Sequence, residues 1–523
     1  MAKIKKYINK IPVFTLALIF IILSICEKFP EIPRALDRRD NIRGCWISYL
    51  DIEEYLKDLS EDDYRIAVNN MLDRIKENNL NTIYLQVRSM ADAIYPSSYF
   101  PWSTYISSDR ENPGYDPLEI IIELAREKEL RIEAWINPYR ISLGTNTTDS
   151  YMNTSFYDQY KSFIMEYYNS NGEKCLSFDP SNTDTIRLIV SGIKEILNHY
   201  DVDGIHFDDY FYVPGMGDDL TREEKMKYVN NMVLTAYNTI KSIKPDCELG
   251  ISPAGNIENA REQGADVDTW LREPGYIDYI MPQIYWTDYF STSSGVTTLF
   301  SDRCSEWQEI NILNIPMYLG MALYRVGEES KIDMGWGLYD DNLASQYTIC
   351  DKYGFDGYCL FRYKWLEMDE SAYEMENLND AVNNEYLYPF VRDSYISYSV
   401  KNGGKWESGK IDGIRAGTGN SEINSIVITL GDKSKDGNVI YRVAGIDGVW
   451  SNWCIGGVPW NNIEPVNNIQ IKLTGNIQME YSIFYRCCFT NIGWLPWVSD
   501  GIDGNSGIIN EKMTGIQIKI VKK

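Results

Sequence analysis

Residues Asp203 to Tyr212 read DGIHFDDYFY, a short apolar run that ends in two adjacent carboxylates, Asp208 and Asp209. A strand turns alternate side chains to one face, so His206, Asp208 and Tyr210 are expected together, with Ile205 and Phe207 on the other side. Two close carboxylates do not both ionise easily, and one pKa rises. A raised carboxyl pKa is what a general acid needs to protonate a glycosidic oxygen near neutral pH. Asp208 is the expected catalytic acid; Asp209 is a further catalytic candidate, or else structural or substrate-orienting. The competing reading of a lone aspartate here is a helix N-cap after a buried strand. His206 is expected one step deeper, bonded to Asp208 or to a sugar hydroxyl, or else as a buried structural histidine.

Other chemistries are thinly supplied. The chain has only two histidines, His199 and His206, too few for histidine-rich metal sites and a poor basis for a Ser-His-Asp triad. No HExxH, Walker A or dinucleotide fingerprint is present, so neither metal nor cofactor is expected. A net charge of −25 argues against nucleic acid, whose phosphates need a basic face. The 39 tyrosines and 14 tryptophans suit a surface that stacks on sugar rings, although tyrosine is also common in strands.

The elements that must position this chemistry form a βαβα alternation. Eight strands are expected at 43–49, 81–88, 130–137, 203–209, 247–253, 277–286, 315–322 and 355–363. Helical periodicity lies between them, as in 61–78, 116–128, 183–200 and 222–243. At 523 residues the chain is long enough for a large barrel plus a smaller domain. The expected fold is α/β, a (β/α)8 TIM barrel over 43–390, with its chemistry at the C-terminal strand ends. Arg88, Arg140 and Arg362 fall at such ends, placed to bind a carboxylate or to hold the acids. Tyr285 and Trp286 would form a sugar platform, unless they only cap the core.

Both flanks differ from this. Lys3, Lys5, Lys6 and Lys10 precede an apolar run from Ile11 to Cys26, the pattern of a secretory signal. Signal peptide, uncleaved membrane anchor and lipid anchor stay open for 1–26; each implies export to the cell surface or beyond. Residues 27–42 read as a linker. The ten scattered cysteines lack metal-ligand spacing and are expected to be mostly reduced. From Ser394 to Lys523 short strands replace helical periodicity, and Trp406, Trp450 and Trp494 recur 44 residues apart. Three copies of one small all-β unit are expected over 394–523. One tryptophan per unit at a fixed place reads as core, with glycan binding the alternative.

The stretches RGCWIS, NTIYLQVR followed by ADAIYPSSYFPW, EAWINPYR, DGIHFDDYFY, GISPAGN, YIMPQIYW and DGYCLFRY resemble the glycosyl hydrolase-like family 10. They run in order over about residues 43 to 365. The tail resembles the clostridial hydrophobic repeats with a shared tryptophan, found on secreted clostridial proteins. The first resemblance implies an exported barrel glycosidase, with cell-wall glycan such as peptidoglycan as a leading substrate class. By this resemblance Asp208 is the catalytic aspartate and Asp92 falls on the family's aspartate after the second strand. Arg88, Asn137, Arg140, Gln283, Tyr285 and Trp286 also fall on matching positions. Glu133 departs from the pattern, standing where a histidine is more usual. Asp92 leads the candidates for a second carboxylate, ahead of Asp288 and Glu133. A 2-acetamido group of the sugar acting as nucleophile would need only one protein acid. A barrel that has lost its chemistry and binds glycan through aromatics is the other class of function.

Overall fold

The structure, a computed structural model, describes residues 41–383 and 395–523, apart from 293–294, 340, 408, 412, 414, 419–420, 432–435, 462–464 and 505–510. The N-terminal segment and most of the expected linker lie outside the described residues. Eight parallel strands follow in order: β1 Ile42–Ile47, β2 Thr82–Arg88, β3 Arg131–Ile136, β4 Gly204–Phe207, β5 Glu248–Ile251, β6 Tyr279–Ile280, β7 Leu319–Met321 and β8 Gly357–Leu360. Each overlaps an expected strand. The sheet runs β7-β8-β1-β2-β3-β4-β5-β6. It closes where Tyr318 N donates to Ile280 O at 2.9 Å and Gly320 N to Pro282 O at 3.0 Å. The fold is a (β/α)8 barrel.

Local signals explain the helices. Helix α1 (Glu61–Glu77) opens on Ser60, whose hydroxyl accepts from Asp63 N, with three acids in its first turn. Helix α2 (Pro117–Glu127) has Asp116 as N-cap and proline in the first turn. Helix α3 (Thr183–His199) is capped by Asn182, and α4 (Arg222–Ile243) by a Thr221–Glu224 capping box. The strands are buried on both faces, as parallel strands between helices must be. Trp46, Tyr84, Trp135, Tyr279 and Tyr318 fill the barrel, while Ile83, Leu85, Ile205 and Leu249 face the helices. These rings need small neighbours: a Cβ on Gly250 would lie 1.7 Å from the Tyr279 ring.

One insertion was not read from the sequence. Between β3 and α3 the chain forms two short helices and a hairpin that pairs Ile164–Tyr168 with Lys174–Phe178. It is stitched to the segment after β3, where Phe178 N donates to Tyr139 O at 2.8 Å.

The tail consists of three antiparallel pairs, Ile396–Asn402 with Ile423–Leu430, Gly437–Gly445 with Val466–Gly475, and Tyr481–Phe489 with Met513–Lys522. Each opening strand places a tyrosine against the closing strand of another unit. Tyr441 Oη donates to Ile426 O at 3.1 Å, Ile471 N donates to Tyr485 Oη at 3.1 Å, and Ile518 N to Tyr398 Oη at 3.0 Å. The third contact returns to the first unit, so the three close into a ring. The tryptophans are not its core. Trp406 is exposed, and Trp450 and Trp494 are half-buried beside Arg442 and Arg486, at 4.8 and 5.0 Å. The buried tyrosines occupy the interior instead.

The nine described cysteines are free thiols, eight of them buried. No described helix is long and apolar enough to cross a membrane.

Candidate active site

A cavity of about 330 Å³ opens at the C-terminal end of the barrel. Asp208 and Asp209 are the carboxylates that line it among the described residues. Asp208 is buried, and both its oxygens are engaged. Asn137 Nδ2 donates to Oδ2 and Tyr210 N to Oδ1. Asn137 is itself oriented by Gln86, whose Oε1 accepts from Tyr49 N at 2.8 Å. Burial raises the Asp208 pKa, while Arg140, the Tyr210 N–H and Asn137 pull it down.

Asp209 has fewer supports. Burial, and then the charge of Asp208, push its pKa up to about 7, against weaker lowering by Gln283 and Arg140. Of the two, Asp208 has the N–H donors that support a charge, and Asp209 is the better placed to hold a proton. Burial raises both carboxyls at this strand end, but Asp208 accepts N–H bonds at both oxygens while Asp209 also feels the charge of Asp208, an arrangement that can separate an acid from a charged partner.

Arg140 is the cation of the cavity wall. Its Nε donates to Ser89 O at 2.7 Å, and the guanidinium lies 4.7 Å from the Tyr210 ring and 5.6 Å from that of Tyr49. Its Nη2 is buried without a hydrogen-bond partner among the described residues. Gln283, Tyr285 and Tyr210 line the cavity as expected. Asn137 contributes by holding Asp208 rather than by lining the wall.

Other expected site residues lie elsewhere. Arg88 pairs with outward-facing Ile136, because a bulge between Gln86 and Arg88 shifts the register with β3. Its guanidinium lies 4.2 Å from the Phe100 ring and donates to Pro138 O at 3.1 Å. Asp92 is turned back on its own loop, Oδ1 accepting from Met90 N at 2.9 Å, and is not among the lining side chains. Trp286 packs on the main core and is not among the lining side chains. Arg362 pairs with buried Asp51, which also accepts from Ser48 and Lys364.

His206 points into the barrel, but below the cavity and not to Asp208. It contacts Tyr279 Oη at 2.7 Å and Ser252 Oγ at 3.0 Å, and accepts from Trp46 Nε1 at 3.3 Å. Burial lowers its pKa to about 3, so it is a neutral strut. Glu133 lies lower still, accepting from Tyr279 Oη at 2.6 Å and paired with Arg131 at 2.7 Å. Asp288 accepts from Ser301 in the helix Leu299–Ile310. None of the three second-carboxylate candidates lines the cavity.

Sequence reading missed Trp46, Tyr49, Gln86, Trp135, Tyr324 and Phe361, which complete the wall or hold its members. Gln86 was readable: it alternates with Tyr84 on β2 and so faces inward. Tyr324 follows β7 in a short turn whose direction periodicity does not encode.

A closed parallel barrel with an acidic pair at the tip of β4 has the build of a glycoside hydrolase. The family model of glycosyl hydrolase-like 10 matches residues 41–231 and 215–338, and the chain belongs to that family. Glycosyl hydrolase DigH of Escherichia coli (strain K12) is 33% identical over 349 residues, covering 58% of this chain and 77% of that protein. Glycosyl hydrolase YngK of Bacillus subtilis (strain 168) is 31% identical over 337 residues, 56% of this chain and 62% of its own length. Among solved structures, an alpha-L-fucosidase from Paenibacillus thiaminolyticus aligns over 68% of this chain and 51% of that one, with 12% identity and a TM-score of 0.43.

Proposed function

We propose that this protein is an exported glycoside hydrolase that cleaves a bacterial cell-wall or surface polysaccharide, using Asp208 and Asp209. The observation that carries this is the pair itself: Asp208 raised by burial while both its oxygens accept N–H bonds, and Asp209 pushed up to about 7, both on one cavity wall. The N–H bonds to both Asp208 oxygens, beside an Asp209 raised to about 7, support exchanging the roles expected from sequence. Asp209 is the general acid and Asp208 the charged partner.

No third carboxylate lines the cavity among the described residues, which supports a substrate-assisted route. The carbonyl oxygen of a 2-acetamido group attacks the anomeric carbon as the glycosidic C–O bond breaks. Asp209 gives its proton to the departing oxygen, and the Asp208 carboxylate accepts the amide N–H. Water then adds at the anomeric carbon as its bond to the acetamido oxygen breaks and the amide is restored, and Asp209 recovers a proton from the water. A sugar of that kind fits the cell-wall reading. Tyr49, Trp135, Tyr285 and Tyr324 offer aromatic faces around the ring. The missing opposite carboxylate equally favours a second reading, a barrel that binds glycan without cutting it.

The test is release of reducing ends from purified peptidoglycan glycan strands. The glycosidase reading expects release by wild type and its loss in Asp208→Asn. Inactivity of wild type on every wall and surface glycan, with binding retained, would favour the binding protein. Export and surface location follow from the basic and apolar N-terminus and are checked by fractionating the native host.

A further inference from the structure

The cavity does not end at Asp209. A second cavity of about 300 Å³ adjoins it and shares Leu143, Asp209 and Tyr210. The inserted hairpin supplies Tyr167, Asn169, Ser170 and Cys175, the loop after β4 supplies Val213 and Pro214, and Gln263 completes the wall. Hairpin and loop are held together closely. Gly215 has φ +88°, and a Cβ there would lie 2.0 Å from Tyr168 O, so only glycine lets the two backbones meet.

The wall has a definite chemical character. Apart from Asp209 it carries no charged side chain among the described residues, only amides, hydroxyls, a thiol and apolar groups. Gln263 Oε1 is buried without a hydrogen-bond partner among the described residues. Such a lining suits an uncharged ring bearing hydroxyl and amide groups. It is a poor site for phosphate or nucleotide, which call for cations.

We propose that the second cavity is a sugar subsite. It takes an uncharged pyranose of the same glycan that occupies the first cavity, so the chain passes Asp209 with sugar on both sides of the bond cut. This rests on the glycosidase reading for the first cavity. The hairpin, absent from the plain barrel, then sets the minimum chain length.

The test compares β-1,4-linked N-acetylglucosamine oligomers, from dimer to hexamer, with a short aryl glycoside. Ser170 is exposed on the hairpin turn, so Ser170→Trp fills the cavity without disturbing the core. Gln263→Ala is the second variant and removes the unpaired carbonyl. The expected result is a fall of about tenfold in kcat/KM for the hexamer relative to the aryl glycoside, carried by KM. An unchanged ratio in both folded variants overturns the subsite and leaves the glycosidase reading intact. If wild type cuts none of these, that reading loses support, and calorimetric binding decides the subsite alone. Affinity that rises with chain length in wild type but not in Ser170→Trp retains it. Equal length dependence, or no binding at any length, overturns it.

Discussion

Asp209 should leave a mark on stability as well as on rate. Its carboxyl lies at about 7 in the folded protein against an ordinary 3.8, so the folded state keeps a proton that the unfolded chain gives up. That contribution is complete below the unfolded pKa and is lost as pH rises through about 7. Thermal melts of wild type should therefore fall in Tm across this window, and Asp209→Asn should reduce the fall. An equal slope in both would show that Asp209 is not the group that holds the proton. Asn137→Ala removes the N–H donated to Asp208 and leaves Gln86 unmatched. Turnover should drop by about 10- to 100-fold with KM little changed, since the lost bond fixes a reacting group. Steady-state kinetics on a soluble glycan checks this. At this scale the place of Asp208, at the end of a buried strand on the cavity wall, was legible from the alternation, while its division of labour with Asp209 was not. Arg88 was misread, since a one-residue bulge reverses the face of everything after it and leaves no sign in composition.

The barrel depends on small residues beneath large rings. Gly250→Ala puts a methyl into the space of the Tyr279 ring, which also bonds His206 and Glu133. Overpacking of this kind costs about 1–3 kcal/mol. It should appear as a lower midpoint in denaturant with an unchanged slope; a wild-type midpoint would mean that the column repacks freely. All eight strands were legible as apolar runs with polar tips, and four helices as periodic stretches ending within one residue of the observed bounds. The hairpin at 164–178 was not legible. Its strands are only five residues each, IMEYY mostly unburied and KCLSF buried from its second residue on, so neither shows clean alternation. The second cavity was hidden with it.

Charge is divided unevenly along the molecule. Residues 395–523 carry thirteen Lys and Arg against eleven Asp and Glu, so the acidity of the chain lies almost wholly before them. The tail closes its own ring and has its own core, and residues 395–523 expressed alone should give a β-type circular dichroism spectrum and a cooperative melt. A helical or unfolded spectrum would contradict this. The tail was legible as three repeats, but not as a ring whose buried aromatics are tyrosines. The central claim is that the pair at the end of β4 divides acid and charged partner between Asp209 and Asp208. It is tested most directly by comparing wild type, Asp209→Asn and Asp208→Asn on an unactivated oligosaccharide and on an aryl glycoside with a good leaving group. Asp209→Asn should lose about 10²- to 10⁴-fold on the oligosaccharide and recover most of it on the aryl glycoside, which needs no proton to depart. Asp208→Asn should be slow on both. Recovery by Asp208→Asn instead would reverse the two roles, and wild-type rates in both variants would contradict the site.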